Sequence, residues 1–169
     1  DDDKCFRSRT TRGRAEAFGL MMAEVTKTYI DNPSTPKLRL PAGAWDSHFH
    51  IFGPGDKFPY ADTYSQNVAD APKDKLFTLH KKLGIAHGVF VQSGAHGFDN
   101  RAVEDALADN TGYLGVALLR TDVPDSELRR LDKIGFRAVR FNYMPHLGPG
   151  TDRKSTRLNS SYITISYAV

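Results

Sequence analysis

Short apolar runs alternate with segments of helical spacing along the middle of the chain. Apolar residues at every third or fourth position predict three helices, one between Pro72 and Gly84, one after Asn100 and one between Asp125 and Gly135. A strand–helix repeat of about 30 residues is typical of parallel α/β folds with right-handed crossovers. Four apolar runs bounded by turn residues predict the strands, at positions 44–52, 87–92, 113–119 and 136–142.

The number of units amounts to about half of a (β/α)8 TIM barrel, in which case the chain would be its truncated N-terminal half. A complete barrel takes about 250 residues, and positions 22–150 hold four predicted strands. An open doubly wound sheet is the alternative, because it suits a domain of this length. Against it, the first strand is followed by Gly53-Pro54-Gly55 and a long loop, where a dinucleotide fold has a G-x-G-x-x-G turn. The pattern of elements alone leaves both folds open.

The two ends of the chain differ in character from the middle. Positions 1–21 hold an acidic run and scattered arginines without periodicity, which we interpret as a non-native or disordered leader, with translation starting at Met22. Positions 151–169 resemble the translation of a sequencing adapter, and we interpret them as an artefactual or disordered tail. This leaves positions 22–150 as the partial barrel domain, with a genuine polar C-terminal tail as the alternative for the last segment.

Composition and charge narrow the class of protein. The 169 residues are 40% hydrophobic and 25% charged, which suits one soluble core. Positions 22–150 contain equal numbers of basic and acidic residues, so the net charge of +3 comes from the ends, and no nucleic-acid partner is expected. No apolar run reaches the roughly 20 residues of a membrane span, and Cys5 is the single cysteine. We expect a cytoplasmic protein without membrane contact or a disulfide framework.

The first predicted strand carries two histidines two residues apart. Because side chains alternate along a strand, His48 and His50 are expected on the same side. In a barrel this side is the interior, near the carboxyl end of the strand, where active sites of this fold lie. Imidazoles there could bind a metal or act in catalysis. Two merely packed or exposed histidines are the alternative that the pair alone leaves open.

Other polar residues fall where predicted strands end. Since parallel strands end at one rim, their side chains can converge on one pocket. Arg140 offers a planar fork for a substrate carboxylate, with a surface salt bridge as the alternative. Tyr64 could donate a hydrogen bond to substrate, with a half-buried loop tyrosine as the alternative. We interpret His80 and His87 as structural. The residues at strand ends are Gln92, Ser93 and His96 after the second strand and Arg140, Asn142 and His146 at the fourth.

Several motifs together resemble one family. The match runs from Asn32 to Leu147 and is similar to the pyrone dicarboxylate lactonase-like branch of the amidohydrolase superfamily, the amidohydrolase-related family. The motifs are the run from Pro41 to Pro54, which contains Asp46-Ser47-His48-Phe49-His50, then Phe58-Pro59-Tyr60, Val91-Gln92, His96-Gly97, Asp99-Asn100 and Arg137-Ala138-Val139-Arg140-Phe141-Asn142.

The resemblance implies a barrel of the metal-dependent hydrolase type that opens a lactone or cyclic ester of an organic acid by water attack. His48 and His50 would polarise the substrate carbonyl. In much of the superfamily this pair binds a divalent metal, Zn or Mn, whereas the lactonase branch works without one. The residues implied to bind the small-molecule substrate are Tyr64, His96, Arg140 and His146.

The sequence departs from the family pattern in two places. His146 stands where the lactonase has a second substrate-binding arginine, which puts a dicarboxylate-specific pocket in doubt. After Leu147 the chain leaves the family pattern, before the later histidine and the strand-end aspartate that serves as general base. The chain as written is therefore expected to be inactive. A metal-dependent decarboxylase of the same superfamily and a non-catalytic fragment are the alternatives, and the oligomeric state stays open.

Overall fold

The computed structural model describes residues 25–64, 66–141 and the backbone of 165–166. Most of the predicted leader and tail lie outside these residues, so the domain limits stay a prediction. The described elements, in chain order, are β1 (Trp45–Phe49), α1 (Lys73–Leu83), β2 (His87–Val91), a 3₁₀ turn (Gly94–His96), α2 (Arg101–Asp109), β3 (Tyr113–Leu118), α3 (Asp125–Ile134), β4 (Phe136–Arg140) and β5 (Ile165–Ser166).

The strands form a single sheet in the order β1-β2-β3-β4-β5. The first four are parallel, and the two-residue β5 pairs with β4 in the antiparallel direction. The four predicted strands and three predicted helices are confirmed, and so is the parallel α/β class. β1 is shorter than predicted because it ends at Phe49, and the predicted end of the fourth strand at Asn142 lies outside the described residues.

Local sequence sets where the helices begin and end. Pro72 and Pro124 precede α1 and α3 in extended conformations, and a proline there loses no helical hydrogen bond. Gly84 and Gly135 end the same helices with φ of 77° and 118°, a left-handed conformation that glycine adopts without strain. Within the described ranges, no helix has the length and apolar character needed to cross a membrane.

The helices pack on one face of the sheet and bury an aromatic core there. The ring of the fully buried Phe90 lies 4.7 Å from that of Phe49, and Phe77 of α1 lies 5.3 Å from Tyr113 of β3. Gly88 lies beneath these rings: a Cβ on it would stand 2.6 Å from Phe49 Cε1 and 3.0 Å from Tyr113 Cε1. The packing of β1 against β2 and β3 therefore requires glycine at this position.

β1 contains one residue more than β2 over the same stretch. Asp46 pairs with Gly88 and Phe49 pairs with Phe90, so two residues of β1 face the single residue Val89. An extra residue of this kind is a β-bulge, and it reverses the phase of side-chain alternation along the strand. The run that carries the two histidines is therefore not a regular strand.

The bulge decides which side chains of β1 share a face. Asp46 and Phe49 both lie on the helix-covered face, where each contacts His80 of α1. A regular strand would have placed Asp46 with His48 and His50 instead. The two histidines lie on the opposite face, which is the interior side in a barrel.

Candidate active site

The carboxyl ends of β1, β2 and β4 come together at one edge of the sheet. His50 follows β1 directly, and its Nδ1 lies 2.7 Å from the backbone carbonyl oxygen of Val91. Arg140 is the last residue of β4, and its Nη1 donates to the carbonyl of Gln92 at 3.0 Å. Because Val91 and Gln92 are consecutive, the imidazole and the guanidinium lie around the same strand end.

His48 lies beside His50, as the alternation predicts. Their ring centroids are 5.1 Å apart and the ring planes meet at 81°, an edge-to-face contact. His48 is exposed and His50 is half-buried. The pair therefore faces a surface that a small molecule can reach from the side opposite the helices.

Arg140 is buried, with 8% of its surface exposed. This burial is contrary to the alternative interpretation of Arg140 as an exposed residue in a surface salt bridge. A buried guanidinium has lost its hydration and is stable only with acceptors around it, of which the Gln92 carbonyl is one. Its positive charge is therefore felt strongly at this edge of the sheet.

The protonation of His50 follows from its surroundings. Burial lowers the pKa of His50 below its ordinary value, against the opposing effect of its hydrogen bond to Val91, and the positive charge of Arg140 lowers it further. The imidazole is therefore neutral near pH 7. A carbonyl oxygen can only accept, so Nδ1 carries the proton donated to Val91 and Nε2 presents a lone pair. In this state His50 can bind a metal or accept a proton, but it cannot donate a hydrogen bond to a substrate carbonyl from Nε2.

A divalent metal fits the described residues only in part. The lone pair of His50 Nε2 is suited to a metal, and its Nδ1–H bond to a backbone carbonyl is common for ligating histidines. However, catalytic zinc sites use three protein ligands, and residues 25–64 and 66–141 bring no third His, Cys, Asp or Glu to the pair. The cationic Arg140 nearby also disfavours a second cation. These residues do not form a metal site by themselves.

His96 is buried and holds two loops together. Its Nε2 accepts a hydrogen bond from the backbone N–H of Gly53 at 3.0 Å, and its Nδ1 donates to the carbonyl of Pro59 at 3.1 Å. Its ring also stacks on Tyr60 at 4.9 Å. Both ring nitrogens are therefore used by the loop after β1, so the predicted contact between His96 and substrate would need one of these bonds to be exchanged. That contact stays a prediction.

Tyr64 lies on the same loop and is half-buried. Its hydroxyl donates to the side-chain oxygen of Gln66 at 3.1 Å. The neighbouring Tyr60 donates to Asp70 at 2.6 Å, and burial together with this carboxylate raises the pKa of Tyr60 well above its ordinary value. These bonds order the loop, and the predicted contact of Tyr64 with substrate stays a prediction.

Gln92 and Ser93 after β2, and Asn100 directly before α2, make hydrogen bonds that support the loops. The side chain of Gln92 donates to the carbonyl of Asp99 at 2.7 Å, and the Ser93 hydroxyl accepts from the N–H of Ala95 at 3.2 Å. Asn100 makes two hydrogen bonds with the backbone of Leu118, of 3.1 and 2.9 Å. The start of α2 is thereby fixed to the end of β3.

Two of the predicted site residues lie outside the described part of the chain, and two residues that were not predicted are linked to the backbone of His48 by polar contacts. His146 and Asn142 lie outside the described residues. Asp46 and His80 were not predicted to bear on the site, yet Asp46 accepts a hydrogen bond from the backbone N–H of His48 at 3.2 Å. The available signal was the position of Asp46 two residues before His48, a spacing at which aspartate often binds the backbone.

Comparison with known proteins gives a consistent family. A family profile described as amidohydrolase matches residues 45–162. The chain is 44% identical over 128 residues to the 2-pyrone-4,6-dicarbaxylate hydrolase of Comamonas testosteroni, covering 73% of this chain and 42% of that protein. It is 38% identical over 112 residues to the 4-sulfomuconolactone hydrolase of Hydrogenophaga intermedia, covering 66% of this chain and 37% of that protein.

A solved structure agrees with the fold. The crystal structure of a Pseudomonas putida protein assigned as a 2-pyrone-4,6-dicarboxylic acid hydrolase superposes with a TM-score of 0.54 at 34% identity, over 65% of this chain and 40% of that one. The chain thus spans about two fifths of the length of the relatives that it matches. The four parallel strands and their helices are the first units of a (β/α)8 barrel, as predicted. The chain belongs to the amidohydrolase family.

Proposed function

We propose that this chain supplies the N-terminal part of a hydrolase that opens a lactone or other cyclic ester of an organic acid. The supporting observation is the buried Arg140 guanidinium at the strand end that also holds His50, with His48 beside it. The substrate is a small anionic molecule, and no nucleic-acid or membrane partner is part of the proposal. A cytoplasmic location belongs to the same proposal and is supported by the single cysteine, which cannot form a disulfide framework.

In the proposed site, Arg140 binds a carboxylate of the substrate. A guanidinium can donate two parallel hydrogen bonds to a carboxylate, which fixes both distance and orientation. Because Arg140 is buried, its attraction for the anion is screened less than at the surface. The positive charge of Arg140 would thus both contribute to the lowered pKa of His50 and attract the carboxylate of the substrate.

The histidine pair faces the reacting ester. The water oxygen forms a bond to the carbonyl carbon and the ring C–O bond breaks. One proton of the water ends on the leaving oxygen, which becomes a hydroxyl group, and the other is released to solvent as the new acid ionises to a carboxylate. Neutral His50 presents an acceptor at Nε2, so we assign it to hold the attacking water rather than to polarise the carbonyl. His48, more exposed on the same side, is assigned to the carbonyl oxygen.

A chimaera tests the proposal without depending on the ends of the chain. Residues 25–141 would replace the aligned segment of the Comamonas testosteroni relative, to which this chain is 44% identical. Turnover of 2-pyrone-4,6-dicarboxylate and of 4-sulfomuconolactone would be followed by absorbance, with an uncharged lactone as a third substrate. We expect turnover of at least one anionic lactone and little of the uncharged one. A cooperatively folded chimaera without turnover of any lactone, beside an active parent, would refute the proposal.

A metal-dependent decarboxylase is the second candidate, because the Nε2 lone pair of His50 also suits a metal. The same chimaera separates the two candidates. A lactone hydrolase independent of metal keeps its rate after dialysis against a chelator and releases no carbon dioxide. A decarboxylase loses activity on chelation, regains it with Zn²⁺ or Mn²⁺, and releases carbon dioxide.

A further inference from the structure

A series of polar groups runs from the buried Tyr113 and His80 to the partly exposed Asp46 on the helix-covered face of β1, away from the histidine pair. The hydroxyl of Tyr113 lies 2.8 Å from Nδ1 of His80, and Nε2 of His80 lies 3.4 Å from Oδ2 of Asp46. The other oxygen of Asp46 accepts the backbone N–H of His48 at 3.2 Å. Because His80 is only 2% exposed, this series of polar groups extends from the core to the backbone of His48, a candidate catalytic residue.

Two hydrogen bonds and one longer polar contact, the 3.4 Å contact between His80 Nε2 and Asp46 Oδ2, make up this series, and the chemistry of the groups decides which of them carry protons. A carboxylate only accepts, so His80 Nε2 carries a proton toward Asp46. With a neutral imidazole, Nδ1 accepts from the Tyr113 hydroxyl, and each polar atom of the series has a suitable partner. The ring of His80 is also held by Tyr113, stacked at 5.7 Å, and by Phe49, edge-on at 4.9 Å. The imidazole therefore has a single orientation toward Asp46.

The β-bulge explains why His48 uses the Asp46 carboxylate. The bulge lies between the pairs Asp46–Gly88 and Phe49–Phe90, so the N–H of His48 is displaced from the regular ladder with β2. An aspartate two residues earlier can accept such an N–H through its side chain. The bond fixes the peptide of His48 relative to Asp46, and Asp46 is fixed in turn by His80.

From this geometry we infer that Asp46 and His80 are positioning residues for His48. They hold the bulged peptide so that the His48 ring lies against His50 on the opposite face. The inference rests on the proposed function only for its kinetic consequence. The alternative is that Asp46 and His80 only stabilise the packing between α1 and β1.

The structural arm of the test uses the full 169-residue chain and needs no turnover. Backbone and side-chain NMR would follow the amide proton of His48 and the proximity of the His48 and His50 rings. In Asp46→Ala we expect an upfield shift of the His48 amide proton and loss of the ring contact. Asp46→Asn keeps an acceptor for the amide and, with the opposite His80 tautomer, a partner for Nε2, so it should restore both signals.

The kinetic arm uses the chimaera described above. We expect Asp46→Ala to lower kcat by about 10- to 100-fold with KM little changed, the range found when a group that orients a catalytic ligand is removed. Asp46→Asn should recover most of kcat. The control is Leu131→Ala, at a residue of α3 whose side chain is buried in the core. This substitution should lower the melting temperature without lowering kcat.

The outcomes are distinct. If the His48 amide, the ring contact and kcat are all unchanged in a folded Asp46→Ala protein, the positioning role is overturned. Loss of kcat that Leu131→Ala reproduces at equal destabilisation would also overturn it. If the parent chimaera turns over no lactone, the proposed function fails, yet the NMR arm still decides whether Asp46 positions His48.

Discussion

On the helix-covered face of β1, Phe49 and Asp46 contact His80 and leave little of it exposed. On the opposite face, His48 is exposed and His50 is only half-buried. The first face gains stability from packing, whereas the second keeps two imidazoles accessible. The groups that we infer to position His48 therefore lie on the face of β1 opposite the histidine pair.

The largest effect is expected at the strand end. Replacing Arg140 with Met in the chimaera removes the cation proposed to bind the substrate acid, and kcat/KM should fall by about 30-fold or more, since removing one partner of a buried charged pair costs about 2–5 kcal/mol. Arg137→Met is the matched control, because Arg137 is exposed on the same strand. Steady-state kinetics on both variants would check this. Equal losses in the two would contradict a special role for Arg140.

A smaller effect is expected in the core of the helix-covered face. Gly88→Ala places a Cβ 2.6 Å from Phe49 Cε1, and overpacking of this kind lowers the free energy of unfolding by about 1–3 kcal/mol. Urea denaturation followed by circular dichroism would measure the change. The double variant Gly88→Ala with Phe49→Leu should lose less than the sum of the single losses. Additive losses would mean that the two residues do not crowd each other.

The pH dependence of stability should reveal the buried His80. Burial lowers its pKa below the ordinary 6.5, against the opposing effect of Asp46, so the unfolded chain binds this proton more readily than the folded one. The contribution of neutral His80 to the free energy of unfolding is complete above pH 6.5. It is lost as the pH falls below 6.5, by at most about 1.4 kcal/mol per pH unit. When the free energy of unfolding is measured by denaturation at several pH values across this window, its pH dependence should be smaller in His80→Gln than in the parent protein. An unchanged slope in that variant would assign the dependence to another group.

The smallest effect is expected on the outer surface of the helices. Arg130 makes ion pairs with Glu104 and Glu127, at 2.8 and 2.7 Å, and its side chain is partly exposed. Arg130→Met should reduce the free energy of unfolding by less than about 1 kcal/mol, and by less still at high salt, because solvent and ions screen such pairs. A loss comparable to that of Gly88→Ala would show that the outer surface contributes as much as the core face.

The fold followed from the sequence because its signals are local. Pro72 and Gly84 mark the limits of α1 through backbone conformations that depend on little else, and the buried runs of β2 and β3 are continuous. The end of β1 was less predictable, since the apolar run of the sequence continues to Phe52. In the structure, Phe52 forms an isolated antiparallel bridge with Ala71, after β1 has ended at Phe49.

The candidate site followed from the sequence in part. The shared side of His48 and His50 needs only the alternation of the strand, and it was predicted. The uses of His96 depend on Gly53 and Pro59, which lie far from it in the chain, so no local pattern could reveal them. The bulge was hidden for the same reason, because its evidence is the spacing of partners on β2.

Because of its bulge, the five-residue strand β1 places side chains on its two faces without strict alternation. Asp46, before the bulge, contacts His80 of the helix layer, while His48, within the bulge, contacts His50 on the opposite face. Deleting Ser47 would give a strand in strict alternation that keeps each side chain on its present face. With Ser47 present, the bulge keeps Asp46 on the same face as Phe49, and the Asp46 carboxylate accepts the N–H of His48 that the bulge displaces from the ladder with β2.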